Sequence, residues 1–181
     1  MNKSKIRSKI LYFRKKNFNK NLKINLNKFI SFLKINIRNE KKIGGYYPSN
    51  YEIDDLEILD LLDEKNFKIS LPIVKKNNQM NFHIWSKKDP LTINKFGIPE
   101  PASSKIVYPD ILLVPLVGYD SNLNRLGYGG GFYDRYIEKI EKIKKVIKIG
   151  LAFSYQKITS VPIKQYDKKL DFIITEKEIL K

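Results

Sequence analysis

Four glycines within residues 125–135 constrain the fold of this chain more than any other feature, because they separate an apolar run from an amphipathic one. The apolar run, residues 109–117, is mainly aliphatic, which is typical of a strand buried on both faces of a parallel sheet. After the glycines, apolar residues recur at helical spacing among charged ones, namely Tyr133, Tyr136, Ile137, Ile140 and Ile143. The pattern predicts a strand, a glycine turn and a helix in succession.

A glycine turn that opens a helix can bind an anion. Glycine tolerates positive φ and close approach of a ligand, and the first amides of a helix have no partner within the helix. The pattern is neither of the common glycine fingerprints, because Phe132 takes the third position of G-x-G-x-x-G and no G-K-[ST] follows. Glycine spacing alone therefore leaves two interpretations open: a phosphate site, or a tight turn that only joins strand to helix.

The flanking residues favour the first interpretation. The run from Pro115 through Asp120 to Arg135 resembles the signature of the 5-formyltetrahydrofolate cyclo-ligase family, also called 5,10-methenyltetrahydrofolate synthetases. That signature is a strand, a proline, a loop ending in Asp-x-x-x-x-Arg, then Leu-Gly-x-Gly-Gly-Gly, an aromatic residue and Tyr-Asp-Arg. Similar family segments are Leu-Pro at 71–72, Gly-Ile-x-Glu-Pro at 97–101 and Gly-Leu-Ala-Phe at 150–153. The resemblance covers essentially the whole chain.

The resemblance implies an enzyme, a ligase that forms a C–N bond. Its reaction would be the ATP- and Mg²⁺-dependent cyclisation of 5-formyltetrahydrofolate, with or without a polyglutamate tail, to 5,10-methenyltetrahydrofolate, with release of ADP and phosphate. We expect a monomer in the cytoplasm, with no membrane partner and no obligatory nucleic acid. Such chemistry mainly requires two positioned ligands and stabilised phosphate charge.

The resemblance also implies the roles of individual residues. Asp134 and Asp167 would be the two carboxylate ligands of Mg²⁺, although an acid in a first helical turn, such as Asp134, also stabilises the helix dipole. The implied substrate-binding residues are Tyr47, Glu52, Tyr128 and Phe132. The implied ATP-binding residues are Lys3, Arg7, Arg125, Leu126, Gly127, Tyr128, Gly129, Gly130, Gly131, Phe132, Tyr133 and Asp134.

Two of these assignments have ordinary structural alternatives. Lys3 and Arg7 are one turn apart on a predicted helix over residues 3–16, so they share a face that could simply be a solvated basic surface. Glu52 stands in residues 51–59, which predict the opening of a helix, where an acid can act as a dipole partner. A carboxylate also suits a pterin, because it can accept two N–H bonds from the ring edge.

The remaining chain predicts an α/β fold: a single three-layer domain over residues 1–181, with a mainly parallel sheet, helices on both faces and the site at the carboxyl ends of the strands. A second amphipathic helix is expected within residues 22–37, and further strands within 67–74, 81–85, 146–153 and 171–175. Residues 97–101, with two prolines, are expected to form an irregular loop.

The charge of the chain suggests an alternative function. The net charge is +16, and residues 1–39 hold 12 of the 35 basic residues and no acidic one. A basic arm of this kind suits a nucleic-acid-binding protein that uses the glycine turn for backbone phosphates, or an organelle transit peptide. Against the transit peptide, its removal would also remove Lys3 and Arg7.

Other sequence features exclude whole classes of site. The chain has no cysteine, which excludes disulfides and thiolate metal sites and suits a reducing compartment. His83 is the one histidine, expected at an exposed strand position, so a metal cluster or a catalytic site built on several histidines is excluded. No apolar run is long enough to span a membrane. Tyr166 stands where the family usually has His, which leaves open a ligand-binding protein that has lost catalysis.

Overall fold

The computed structural model describes residues 2–37 and 41–181. It contains four α-helices and one eight-stranded sheet in this part of the chain. The helices are α1 (Lys3–Asn17), α2 (Leu26–Asn36), α3 (Leu56–Glu64) and α4 (Phe132–Glu141). The strands of the large sheet are β1 (Lys42–Gly44), β2 (Lys68–Val74), β3 (Met80–Ile84), β6 (Ile106–Val107), β7 (Ile111–Pro115), β10 (Ile147–Leu151), β11 (Phe172–Ile174) and β12 (Ile179–Leu180). Two small hairpins are formed by β4 (Leu91–Ile93) with β5 (Pro99–Pro101) and by β8 (Gly118–Tyr119) with β9 (Arg125–Leu126).

The sheet order is β12-β11-β10-β7-β1-β2-β3-β6. The five central strands, β11 to β2 in that order, run parallel, and the strands outside them pair antiparallel. From β1 the chain first goes to β2 on one side and later to β7 on the other, so the direction of winding changes between β1 and β7. Ligand sites of open α/β sheets lie beyond the carboxyl ends of the strands at such a switch.

Helices cover both faces of the sheet, as predicted. Phe29 and Phe32 of α2 and Leu59 of α3 pack on one face, in a cluster with Ile111 and Ile149 of the central strands. Tyr136, Ile137 and Ile140 of α4 pack on the other face against Phe82, Leu112 and Val114. The buried strand predicted within 109–117 is the central β7, whose residues Ile111 to Val114 are fully enclosed. The predicted fold class is therefore confirmed.

The first helix packs beside the sheet rather than on its centre. Ile6 and Ile10 of α1 form a small cluster with Val117, Leu126 and Val161. The contact is close, because a Cβ atom built on Gly118 would lie 2.7 Å from the side chain of Ile10. This packing brings the polar face of α1 to the glycine turn that precedes α4.

Three local predictions were wrong. His83 is buried, with 4% of its surface exposed, because β3 lies between β2 and β6 and is not an edge strand. Residues 99–101 form strand β5 of a hairpin, since Glu100 there accepts hydrogen bonds from the amide of Val74 and the side chain of Asn94. The helix expected to open within 51–59 begins only at Leu56, so Glu52 precedes it.

No helix within the described ranges has both the length and the apolar character that crossing a bilayer requires.

Candidate active site

A cavity of about 930 Å³ lies at the carboxyl ends of the central strands. Pro115 at the end of β7, Pro72 and Val74 in the last part of β2, and Tyr46 and Tyr47 just after β1 contribute to its wall. The structure also brings to this cavity almost every site residue that the sequence predicts, namely Lys3, Arg7, Glu52, Arg125, Gly127, Tyr128, Gly129, Gly130, Gly131, Phe132, Tyr133, Asp134 and Asp167. Residues far apart in the chain therefore share one space.

The glycine turn forms one wall of the cavity and has free amides. Gly129 and Gly131 have positive φ angles of 105° and 67°, which side-chain-bearing residues rarely adopt. Gly131 is the N-cap of α4 and provides no side-chain cap. Within residues 2–37 and 41–181, no acceptor receives a hydrogen bond from the amides of residues 127–131. The positive end of α4 and these amides can accept an anion.

Two basic residues of α1 line the cavity, and one of them contacts this turn. The Nε of Arg7 donates to the carbonyl oxygen of Gly127 over 2.6 Å, and its guanidinium lies 3.4 Å from the position of a Cβ on Gly129. Lys3, one turn earlier, forms an ion pair with Asp167. The shared face that the sequence predicted for Lys3 and Arg7 is therefore turned toward the cavity and not toward bulk solvent.

The two predicted metal ligands each keep one oxygen available. Oδ1 of Asp134 accepts from Arg125 Nη2 over 2.6 Å and from the amide of Lys168 over 3.0 Å. Oδ2 of Asp167 accepts from Lys3 and from the amide of Lys164. Oδ2 of Asp134 and Oδ1 of Asp167 have no partner within the described part of the chain.

The charge of Asp167 is stabilised by its surroundings. Burial by itself raises the pKa of this carboxyl, but hydrogen bonds from Lys3 and the Lys164 amide, together with the charge of Arg125, outweigh burial. The net pKa lies below the usual value for aspartate. The residue is therefore a carboxylate at neutral pH.

Glu52 lines the same cavity, next to the side chain of Tyr128 from the glycine turn, and is held by donors on both oxygens. The hydroxyl of Tyr128 donates to Oε1 over 2.6 Å, and the amide of Ser49 donates to Oε2 over 2.7 Å. Only 8% of Glu52 is exposed. Burial raises its pKa, while the hydrogen bond from Tyr128 and the charge of Arg14 act in the opposite direction.

Aromatic side chains also line the cavity. Phe132 at the start of α4 contacts Phe96 of the β4–β5 hairpin edge to face, with ring centroids 5.8 Å apart. Tyr47, which follows β1, is another aromatic residue of the lining. These rings offer flat apolar surfaces to a planar ligand.

Leu126 and Tyr166 lie outside the cavity lining. Leu126 is 1% exposed and packs in the cluster of α1, so its side chain supports the turn and does not face a ligand. Tyr166 is 74% exposed. The position where this chain departs from the family pattern is therefore an exposed one that does not line the cavity.

Sequence reasoning missed several residues near the cavity, including Phe96, Ser49 and Arg14. Phe96 and Ser49 stand in loops without a periodic pattern. Arg14 is fully buried and donates to the hydroxyl of Tyr128. One signal for Arg14 existed, because residues 3, 7 and 14 fall on the same side of a helix with Ile6 and Ile10.

The parallel sheet, the switch between β1 and β7 and the cavity at that edge define an α/β protein with a ligand site at the carboxyl ends of its strands. The chain belongs to the 5-formyltetrahydrofolate cyclo-ligase family, whose model matches residues 1–176.

Individual relatives agree with this membership. The chain is 34% identical to the 5-formyltetrahydrofolate cyclo-ligase of Haemophilus influenzae over 140 residues, which is 74% of each protein. It resembles the solution structure of the 5,10-methenyltetrahydrofolate synthetase of Aquifex aeolicus with a TM-score of 0.81 and 30% identity, covering 100% of this chain and 93% of the other. The Mycoplasma pneumoniae synthetase structure matches with a TM-score of 0.77 and 26% identity, over 98% and 100% of the two chains.

Proposed function

We propose that this protein catalyses the ATP-dependent cyclisation of 5-formyltetrahydrofolate to 5,10-methenyltetrahydrofolate, with release of ADP and phosphate. Membership of the cyclo-ligase family supports the reaction. The single observation that carries the proposal is the shared cavity, which is lined by the glycine turn with Lys3 and Arg7 and also by Glu52. An enzyme that joins a phosphate donor to a formyl-folate needs both binding sites in one space.

The proposed chemistry explains why cations and free amides dominate the site. The formyl oxygen is a poor leaving group, so the γ-phosphoryl group of ATP is transferred to it and ADP leaves. N10 then attacks the formyl carbon, the carbon–oxygen bond breaks, phosphate departs and N10 loses its proton. The amides of residues 127–131, with Lys3, Arg7 and Arg125, stabilise phosphate charge during both steps. No side-chain nucleophile is required.

At the folate end, Glu52 would accept N–H groups of the pterin ring. Its carboxylate is fixed by Tyr128 and Ser49, and Oε1, which accepts only from Tyr128 in the described part of the chain, keeps a lone pair for the substrate. Tyr47 and Phe132 would contact the flat faces of the ring. Because burial raises the pKa of Glu52, substrate binding is expected to weaken on the acid side, where the carboxylate becomes protonated.

The site also fits a magnesium ion. Mg²⁺ prefers hard oxygen ligands and commonly uses one or two carboxylates together with phosphate oxygens and water. Asp134 and Asp167 each have one free carboxylate oxygen at the cavity, and these two residues would hold the ion. When bound, Mg²⁺ would neutralise charge on the ATP phosphates. Asp134 and Asp167 are themselves held in place by Arg125 and Lys3.

The test is to incubate the purified protein with 5-formyltetrahydrofolate and Mg-ATP, and to follow the absorbance of the conjugated product together with ADP release. We expect both signals, in a ratio of one to one, and neither without ATP. Absence of turnover in the presence of normal folate binding would favour a protein that has lost catalysis. Salt-sensitive RNA or DNA binding without turnover would favour the nucleic-acid alternative.

We also propose that the enzyme acts as a cytoplasmic monomer on folate with or without polyglutamate. The absence of cysteine suits a reducing compartment.

A further inference from the structure

Arg14 is a fully buried cation that does not line the cavity. Its Nη1 donates to the carbonyl oxygen of Leu116 over 3.2 Å, and its Nη2 donates to the hydroxyl of Tyr128. Neither partner is charged, and its Nε has no partner within the described part of the chain. Burying a guanidinium in this way carries a large desolvation cost, which an apolar side chain at the same position would avoid.

The negative charge of Glu52 lies close to this cation, because both groups bind the hydroxyl of Tyr128. Arginine can only donate hydrogen bonds, so the hydroxyl of Tyr128 must use its oxygen to accept from Arg14. Its single proton is then available only for Oε1 of Glu52, to which it donates over 2.6 Å. The amide and hydroxyl of Ser49 serve Oε2. Protonated Glu52 would conflict with this arrangement of donors.

We propose that Arg14 is a positioning residue for the folate end of the site: it fixes the hydroxyl of Tyr128, and that hydroxyl holds Glu52 as an oriented carboxylate ready for the substrate. The inference rests on the proposed function, since it assigns Glu52 to substrate binding. Arg14 itself touches no ligand. The helix that carries Lys3 and Arg7 to the proposed phosphate site thus also organises the proposed folate site.

The other groups around Glu52 make the positive charge necessary. Besides burial, the negative charge of Glu52 raises the pKa of three neighbouring groups: the fully buried Asp55 and the hydroxyls of Tyr46 and Tyr133. Burial first, and the Glu52 charge second, raise the pKa of Tyr128, so its hydroxyl stays protonated and remains a donor. Arg14 is the cation that lowers the pKa of Glu52 in this surrounding.

The test compares Arg14→Met with Lys15→Met, which removes an exposed charge from the next position of the same helix. In Arg14→Met we expect KM for 5-formyltetrahydrofolate to rise about tenfold or more, as for loss of one hydrogen bond to a charged group, with KM for ATP unchanged. The acid limb of kcat/KM should move to higher pH. Lys15→Met should leave all three quantities at wild-type values.

A ligand-free measurement separates this inference from the proposed function. In protein labelled with ¹³C at the glutamate carboxyls, the signal missing from Glu52→Gln identifies Glu52, and its titration midpoint should be higher in Arg14→Met than in wild type. Absence of ATP-dependent turnover in the wild-type protein would refute the proposed function. The Glu52 titration would still test whether Arg14 holds Glu52 as a carboxylate.

The result that overturns the inference is a folded Arg14→Met protein with an unchanged Glu52 titration and an unchanged folate KM. If Arg14→Met does not fold, Tyr128→Phe replaces it, because that variant removes only the connecting hydroxyl. An unchanged Glu52 titration in Tyr128→Phe overturns the inference equally, and an upward shift supports it.

Discussion

Gly129→Ala should damage nucleotide binding much more than it damages the fold. The φ angle of +105° at this position is strained for alanine, which costs roughly 1–2 kcal/mol. The new Cβ would lie 3.4 Å from the guanidinium of Arg7, an ordinary contact, so no large steric term adds to the strain. For a chain of this size the loss corresponds to a fall in Tm of roughly 2–8 °C.

The effect on ATP follows from the position of the turn. The added methyl group would occupy space next to the free amides of residues 127–131, and would push a phosphate away from one or two of them. Loss of one charge-assisted hydrogen bond raises KM for ATP by roughly 10- to 100-fold. The assays are thermal unfolding by circular dichroism and steady-state kinetics at saturating 5-formyltetrahydrofolate.

The matched control is Gly97→Ala. Gly97 also has a positive φ, +73°, but nothing lies within 4 Å of its added Cβ. It lies in the turn of the β4–β5 hairpin, which also lines the cavity but is not assigned any contact with phosphate. It should therefore show a comparable fall in Tm and a nearly unchanged KM for ATP. Equal KM values for ATP in the two variants would refute the assignment of residues 127–131 to phosphate.

Three further predictions concern charged groups. Asp134→Asn keeps both hydrogen bonds of Oδ1 but loses the negative charge. The kcat should therefore fall by roughly 100-fold or more, while the circular dichroism spectrum stays unchanged. An active variant with normal Mg²⁺ dependence would contradict the metal assignment. Glu52→Gln should raise KM for the folate about tenfold and leave KM for ATP alone; Glu57→Gln, at an exposed ion pair, is the control and should change neither. The Lys3–Asp167 ion pair should contribute about 1 kcal/mol to the free energy of unfolding at pH values above about 4, which is the pKa of aspartate in the unfolded chain. This contribution should vanish as the pH falls through the pKa of Asp167 in the folded protein, which is lower. Urea unfolding at pH 6 and pH 3 gives the difference in the free energy of unfolding between wild type and Lys3→Met. An equal difference at both pH values would contradict this prediction.

The sequence predicted the centre of the fold well, because the strongest patterns there are also local. The continuous apolar run became β7, and the helical spacing after the glycines became α4, although its stripe ends at Ile140 and Ile143 lies beyond the helix. The placement of Lys3 and Arg7 on one helix face follows from spacing alone. The contact of this face with the glycine turn depends on the packing of Ile10 against Gly118. The periodicity of the sequence carries no information about that packing.

The errors arose where tertiary contacts override local patterns. The alternating pattern of this strand is compatible with either an exposed or a buried histidine. His83 is buried because β3 is paired on both edges. Glu52 follows two positive-φ residues, Asn50 and Tyr51, which delay the helix until Leu56. An arginine on an amphipathic helix is normally solvated, so burial of Arg14 required knowledge of the facing Leu116 and Tyr128.

The long reach of α1 has a consequence for the order of assembly. Lys3 meets Asp167, 164 positions later, and Arg7 meets Gly127, 120 positions later. During synthesis the first helix therefore leaves the ribosome well before any of its partners exists, and its lysines and arginines remain without a binding site to complete. Nucleotide affinity should accordingly be acquired late and abruptly, when the segment around Asp167 emerges and docks.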